Sequence, residues 1–442
     1  MKKLFSISLL FSVAAMMFTG CVSEEDDLFD SSAAERLMTS KKMYTDRLGG
    51  STWVMEFYPL NTDEAPKGQG YLILNKFNRD GSVVQAMQNE LTDGQYLTDT
   101  SLWEIISDQG TVLTFNTFNK CIHMFSDPGL YQTGQGFEGD YEFVILSLEE
   151  DAKYGMLKGK KRATYNRLTR LPDDVNFEEY LKDVNGFQNT IFSSSAPNDC
   201  VMNIGDSVMV VTNASTGIIS LYPLGGDPIS QTTDHAFTIT KNDGKYYLRF
   251  REELAGKNVD KVQEFVYDET TDVFKSLENE NNVIKGVPAV DFFVSALDNS
   301  KLWLYNTAGE NSDNIKNAYE IMQSELLSLG WTLNNTKFTK LSDGRYVIRF
   351  AVVNKKKSSR NLEYVFNISD NDGKVMVQYV EPYVTEKDAV AQNVLNAAPS
   401  VQSFLEEISG TYEVHPKGTG FDLRNIILKS EKSMIELQYT LK

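Results

Sequence analysis

Along most of the chain, apolar and polar positions alternate with a period of two, in short runs closed by Gly, Asn, Asp or Pro. Such alternation sets one face of an extended strand on a core and turns the other to water. Strands are predicted at residues 53–58, 71–77, 82–87, 102–107, 112–118, 141–148 and 162–171. A second group covers 208–212, 218–222, 236–240, 245–250 and 264–267. A third covers 301–305, 331–333, 338–341, 345–353, 362–368, 374–380, 421–428 and 434–441. Asn78-Arg79-Asp80-Gly81 reads as a hairpin turn whose glycine takes positive φ.

Other windows carry the helical period. Residues 31–48 open with Ser32 and Glu35, a capping box in which hydroxyl and carboxylate satisfy free N–H groups at a helix start. Ala34, Leu37, Tyr44 and Leu48 lie near one face, and Gly49-Gly50 stop the helix. Residues 176–184 put Phe177, Leu181 and Val184 on one face, with Gly186 as the end. Residues 288–297 make a short apolar helix. In 313–329, Ile315, Tyr319, Met322, Leu326 and Leu329 step by three and four before Gly330. Residues 385–408 are helical with a break at Pro399. The expected fold is α+β and mostly antiparallel β, with several short helices. Gly50-Ser51-Thr52-Trp53, entering a run of hairpins, looks like a lipocalin-type start. The N-terminal part is therefore expected to be a lipocalin-like barrel or meander, followed by repeated β-hairpin modules.

Two pairs of segments repeat. Residues 237–250 match 338–350 around an Asp-Gly turn, and each is followed by a similar strand, Glu264-Phe265-Val266-Tyr267 and Glu363-Tyr364-Val365-Phe366. Gly50-Ser51-Thr52-Trp53-Val54 resembles Gly410-Thr411-Tyr412-Glu413-Val414. Pro66-Lys67-Gly68-Gln69-Gly70-Tyr71 resembles Pro416-Lys417-Gly418-Thr419-Gly420-Phe421. Reused hairpin chemistry and a repeated helix-then-meander module both produce such matches.

The front end departs from this pattern. Lys2-Lys3 precede an apolar run over 4–17, then Phe18-Thr19-Gly20-Cys21 and the acids Glu24 to Asp27. The run is too short to span a bilayer and reads as a removed secretory signal. Cys21 after Thr19-Gly20 resembles a bacterial lipobox, in which the cysteine carries lipid (palmitate among the acyl chains) and anchors the protein to a membrane. Several acyl chains hold stably where one is marginal. The acidic run resembles the surface-export signal of starch-utilisation-type lipoproteins, which implies an outer-membrane, cell-surface location. The expected organisation is a signal peptide at 1–20, an acidic tether at 21–30, a helix plus barrel or meander at 31–171, a middle α+β module at 172–287 and a C-terminal α+β module at 288–442.

Removing the signal leaves 422 residues, ample for several cores, and takes the formal charge from −18 to −20. So acidic a body repels phosphates and argues against nucleic acid. With Cys21 lipidated, Cys121 and Cys200 either pair, which an exported compartment permits, or stay as buried thiols.

Catalytic signatures are missing. Gly134-Gln135-Gly136-Phe137-Glu138-Gly139 has the letters of a dinucleotide loop but leads into a strand rather than a helix. His123, His235 and His415 are far apart in sequence, so no metal site is assigned. Asp370-Asn371-Asp372-Gly373 lacks the first ligand and flanking helices of a calcium loop and reads as a hairpin turn. Among 61 acidic residues, a glycosidase-type carboxylate pair is neither located nor excluded by spacing. Lys158, Lys160, Lys161, Arg162, Arg167 and Arg170 make a basic stretch, and Lys355-Lys356-Lys357 a second. Each is an anionic-ligand patch or a solvated strand edge. Trp53, Trp103, Trp303 and Trp331 either stack on sugars or fill cores. No catalytic residue, cofactor or ligand-binding residue is assigned, and no enzymatic activity is expected.

The lipobox with its acids, Ser32-Ala33-Ala34-Glu35-Arg36-Leu37, Leu48-Gly49-Gly50-Ser51-Thr52-Trp53 and Asn119-Lys120-Cys121-Ile122-His123 together resemble the family called domain of unknown function 4302. The resemblance covers nearly all of the mature chain. It implies a lipoprotein associated with SusD-like lipoproteins and TonB-dependent transporters, and it carries no catalytic residues. The expected function is that of a non-catalytic accessory that binds a glycan, a peptide or a neighbouring subunit in nutrient uptake. A surface hydrolase and a structural or adhesive lipoprotein are the alternatives.

Overall fold

A computed structural model describes residues 31–440 except 60–68, 109, 131–135, 149–152, 193–199, 213–216, 256–260, 300 and 387. The signal, the lipobox with Cys21, and the acidic tether lie outside the described residues, as do Gly134 and Gln135.

The first sheet contains β1 (Ser51–Phe57), β2 (Tyr71–Phe77), β3 (Ser82–Met87), β4 (Leu97–Leu102) and β5 (Glu104–Ser107). It continues with β6 (Thr111–Thr114), β7 (Glu142–Leu148), β8 (Tyr154–Gly159) and β9 (Tyr165–Leu171). The order is β4-β3-β2-β1-β9-β8-β7-β6-β5. Its outermost strands, β4 and β5, are separated in sequence by Trp103 alone. The meander therefore returns to its own edge, where the Trp103 N–H donates to the Gly81 carbonyl at 2.9 Å.

The next eight strands are β10 (Cys200–Ile204), β11 (Ser207–Thr212), β12 (Ile218–Pro223), β13 (Thr233–Asn242), β14 (Lys245–Leu254), β15 (Val262–Asp268), β16 (Val273–Ser276) and β17 (Val283–Gly286). They form a closed barrel in sequence order, sealed by β10 against β17 with Cys200 opposite Gly286. The last eight are β18 (Leu302–Tyr305), β19 (Trp331–Lys340), β20 (Tyr346–Asn354), β21 (Ser359–Asn371), β22 (Lys374–Pro382), β23 (Gly410–Pro416), β24 (Asn425–Lys429) and β25 (Met434–Thr440). They close a second barrel, sealed by β18 against β25. The chain is thus mostly antiparallel β, as the alternation predicts, and short helices lead into each sheet.

These helices are α1 (Ala33–Leu48), α2 (Phe177–Ile191) and α3 (Ala289–Asp298). Within the last barrel's sequence come α4 (Asp313–Ser328), α5 (Val390–Ala397) and α6 (Pro399–Glu407). Ser32 and Glu35 form the expected capping box on α1. Only the C-terminal part of that helix docks: Leu48 is buried, whereas Ala34 is exposed. Gly186 does not end α2. The helix runs on to Ile191, which is buried with Tyr180, Leu181 and Val184, so tertiary packing outweighs the weak helix propensity of glycine. Strand β4 was not expected, because Thr98, Thr100 and Leu102 are exposed and Asp99 and Ser101 alternate with them, which leaves little apolar signal. Strands β8, β10, β16, β17 and β23 were missed for similar reasons of brevity or polarity.

Strand β1 is buried at every position. Trp53, Met55 and Phe57 belong to the first sheet's core, while Val54 packs with α2 and the first closed barrel. The outer face of β1 is therefore an internal face of the molecule. A polar cluster sits there. Glu56 accepts from Thr238 Oγ1 at 3.0 Å and from Arg249 Nη1 at 3.4 Å, and Arg167 Nη1 donates to Glu264 at 2.7 Å. The two barrels meet at glycines: a Cβ on Gly286 would lie 1.8 Å from the Gly420 carbonyl oxygen. Beside them Phe421 enters the core of the first closed barrel, its ring 6.1 Å from Phe192 and 5.9 Å from Phe274.

Candidate functional site

A cleft of about 390 Å³ opens where the first sheet, α2 and the first closed barrel meet. Its walls come from 69–72 and 88–90 of the first sheet, from α2, and from Gly217 and 237–239 of the barrel. Strands β2 and β3 create the opening because their pairing begins only at Leu74 opposite Ala86, leaving the preceding residues of β2 to diverge from β3. Gly70 allows the close approach: a Cβ there would lie 2.3 Å from Thr238 Cγ2.

Six carboxamides line this cleft: Gln69, Gln88, Asn89, Asn185, Gln188 and Asn189. Several are held in place. Asn185 Nδ2 donates to the Gln88 carbonyl at 2.9 Å, linking α2 to the first sheet. Gln88 Nε2 donates to the Gly94 carbonyl at 2.7 Å, and Asn89 Oδ1 accepts from the Leu91 N–H at 2.9 Å. Gln69 Nε2 donates to Glu90. The remaining polar ends of two of these side chains, Gln88 Oε1 and Asn89 Nδ2, are buried with no hydrogen-bond partner among the described residues. A buried polar atom without a partner costs about 1–3 kcal/mol, so an acceptor and a donor stand ready for a bound group. Among the described residues, apart from Glu90, no Asp, Glu, Lys, Arg or His lines the cleft. Thr238 connects the cleft to the buried charges, since the same residue donates to Glu56.

A second cleft, of about 770 Å³, lies at one end of the last barrel and is lined by Glu406, Glu407, Glu413, Glu431 and the lysines 374, 429 and 432. Its carboxylates include engaged ones. Glu413 bridges Lys374 at 3.0 Å, and that hydrogen bond holds its carboxyl below the usual range, which suits a general acid poorly. Glu407 accepts from Asn314.

The residues singled out from sequence are dispersed. Trp53, Trp103 and Trp303 are buried in cores, and Trp331 packs against one, so stacking of sugars on tryptophan is not supported. His123 lies in a short 3-10 turn between β6 and β7, His235 in β13 and His415 in β23, so the three are held by different sheets and their loops. His123 is sandwiched between Phe118 and Tyr141, and burial lowers its pKa. Among the described residues no group of three or more His, Cys, Asp and Glu is placed to hold a metal ion. Asp372 and Gly373 take positive φ in the turn between β21 and β22, as a hairpin requires. The basic stretch does not gather into a patch: Lys160 pairs with Asp108 and Glu142, Arg162 with Glu138, Arg167 with Glu264 and Arg170 with Asp173. Lysines 355–357 sit in the turn between β20 and β21. Cys121 and Cys200 are both free and buried, in different cores. The cleft carboxamides were missed by sequence reading, and no spacing in the sequence marks them.

Among the described residues no helix is long and apolar enough to cross a membrane. The sequence profile described as "Domain of unknown function (DUF4302)" matches residues 25–269. No curated protein matches. Among solved structures, intact Ap-TbpB with its N and C lobes is 10% identical, over 89% of this chain and 77% of that one, with a TM-score of 0.14. A mutant of the vaccine antigen transferrin binding protein B from Haemophilus parasuis Hp5 is 9% identical, over 89% and 76%, also at 0.14. The DNA polymerase III beta subunit of Thermotoga maritima is 10% identical, over 90% and 92%, at 0.13. Superposition this poor supports no argument about shared fold or role.

Proposed function

The chain belongs to the family described as domain of unknown function 4302, and from that premise we propose that it is a surface-anchored lipoprotein. In this reading it binds a neutral polar ligand, a glycan or a peptide, without catalysis, as an accessory of a nutrient-uptake system. The observation that carries the binding role is the cleft between the first sheet, α2 and the first closed barrel, with Gln88 Oε1 and Asn89 Nδ2 buried and unpartnered. Junctions between units are preferred ligand sites, because groups from two rigid bodies converge there. The anchoring role rests on the lipobox at Cys21 and the acids that follow it. Lipid at Cys21 would hold the body at the outer membrane, facing outward, beside a SusD-like lipoprotein and a TonB-dependent transporter.

The test is purification of C-terminally tagged protein from gently solubilised outer membranes. Recovery of a transporter and a SusD-like lipoprotein in fixed ratio supports the accessory role. Recovery of the protein alone removes it and leaves a free-standing binding or structural lipoprotein.

A further inference from the structure

We infer that the ligand of the cleft is a neutral, hydroxyl-rich oligosaccharide rather than a peptide, an inference that rests on the cleft being the binding site proposed above. The argument starts from what the cleft presents. Each carboxamide offers both a donor and an acceptor, and each sugar hydroxyl is likewise both. A run of hydroxyls therefore satisfies a run of carboxamides in many registers. Six carboxamides converge here, and the two atoms that the protein leaves unpartnered are one acceptor, Gln88 Oε1, and one donor, Asn89 Nδ2.

Charge narrows the class. Among the described residues Glu90 is the single acidic lining residue, and no lysine, arginine or histidine faces the cleft. Uronic acids, sulfated sugars and acidic peptides would meet a carboxylate and find no cation. Of the apolar residues in the wall, Tyr71, Phe237 and Ile239 are buried in the cores behind it, and Leu72 is partly open. Recognition of this kind is also sensitive to a missing partner, since each lost hydroxyl leaves a buried polar group unsatisfied.

The experiment is calorimetric titration of the full-length protein, solubilised in detergent, with three probes. These are neutral glucan and mannan oligosaccharides, matching uronate oligosaccharides, and acetylated and amidated Ala/Ser/Gly peptides. Each is repeated with N89D and Q88M. Asn89→Asp keeps an Oδ atom to cap Leu91 and replaces the free donor with a charged acceptor. Gln88→Met keeps the side-chain length and removes the free acceptor together with the Nε2 donor to the Gly94 carbonyl. The expected result is binding of a neutral oligosaccharide, weakened about tenfold by either variant while the protein remains folded, and weaker binding of the uronate. Binding of the capped peptide alone, lost in the variants, would overturn the sugar assignment and leave the cleft as the site. Binding of no probe, or binding that neither variant alters, would overturn both.

Discussion

Asp183 accepts the Lys241 ammonium at 2.8 Å, tying the helix that leads into the first closed barrel to one of that barrel's own hairpins. The Tyr246 hydroxyl donates to the same carboxylate at 3.0 Å, and Lys241 also lies 4.7 Å from the Tyr246 ring centre. The last barrel repeats the arrangement. Lys340 and Tyr346 donate to Asp298 at 2.8 and 2.6 Å, and Lys340 lies 4.8 Å from the Tyr346 ring centre. The matching segments 237–250 and 338–350 thus serve one purpose twice: a hairpin clips the helix that precedes its barrel.

Asp183→Asn and Asp298→Asn should each cost no more than about 1 kcal/mol, since all four charged groups are partly exposed. Asp298 also gives a pH signature. Hydrogen bonds from Lys340 and then Tyr346 hold its carboxyl below the ordinary 3.8. A depressed folded-state value stabilises the fold above the unfolded value, and that contribution disappears as pH falls through the folded value. Denaturant melts between neutral pH and pH 3 should therefore lose less stability in the Asp298→Asn variant than in wild type. Parallel curves would mean that the clip contributes nothing on acidification.

Glu56 should be the costliest charge to remove. Its side chain is 2% exposed and faces both Arg167 and Arg249 across the junction. Glu56→Ala removes the carboxylate that the buried Arg249 pairs with, while Arg167 keeps Glu264, and such losses run to about 3–5 kcal/mol. A change under about 1 kcal/mol in urea unfolding would show that water reaches the cluster.

Two glycines of similar appearance in sequence should respond with opposite sign. Gly186 lies within α2, and an added Cβ meets nothing, so Gly186→Ala should stabilise by about 0.5–1 kcal/mol. At Gly286 the added Cβ would strike the Gly420 carbonyl. Gly286→Ala should destabilise by about 1–3 kcal/mol and speed proteolysis between the two closed barrels. Thermal melts of both variants beside wild type decide the signs.

Thiol counting tests both the cores and the lipid. Burial pushes the Cys121 thiol up to about 12, and Cys200 is buried as well. Purified native protein should react slowly or not at all with a disulfide reagent at pH 8, because the reactive thiolate is scarce and shielded. After denaturation without reductant, the thiols of Cys121 and Cys200 should both appear. A third thiol would mean that Cys21 carries no lipid, and none would mean that Cys121 and Cys200 had paired.

Much of the local structure was legible in the sequence, because its causes are local. The box at Ser32 and Glu35 caps α1, Gly81 takes positive φ in its hairpin turn, and Pro399 separates α5 from α6. The step of Ile315, Tyr319, Met322 and Leu326 buries one face of α4. Where context decides, the reading failed. Gly186 looked like a stop, yet Ile191 beyond it is buried and holds the helix together. Strand β4 carried almost no apolar pattern and forms because β3 offers it a partner.

The sequence by itself determined the antiparallel class, the cap of α1, the turns and the repeated hairpins, all of which follow from the conformational preferences of neighbouring residues. Only the tertiary structure decided that the strands close, because closure pairs Cys200 with Gly286 and Leu302 with Thr440, residues that chain proximity does not bring together. It alone placed the cleft as well. Gln69, Gln88 and Asn189 are ordinary polar residues one at a time, and they line one cleft when β2 and β3 diverge against α2, where Gln88 Oε1 and Asn89 Nδ2 have no partner among the described residues.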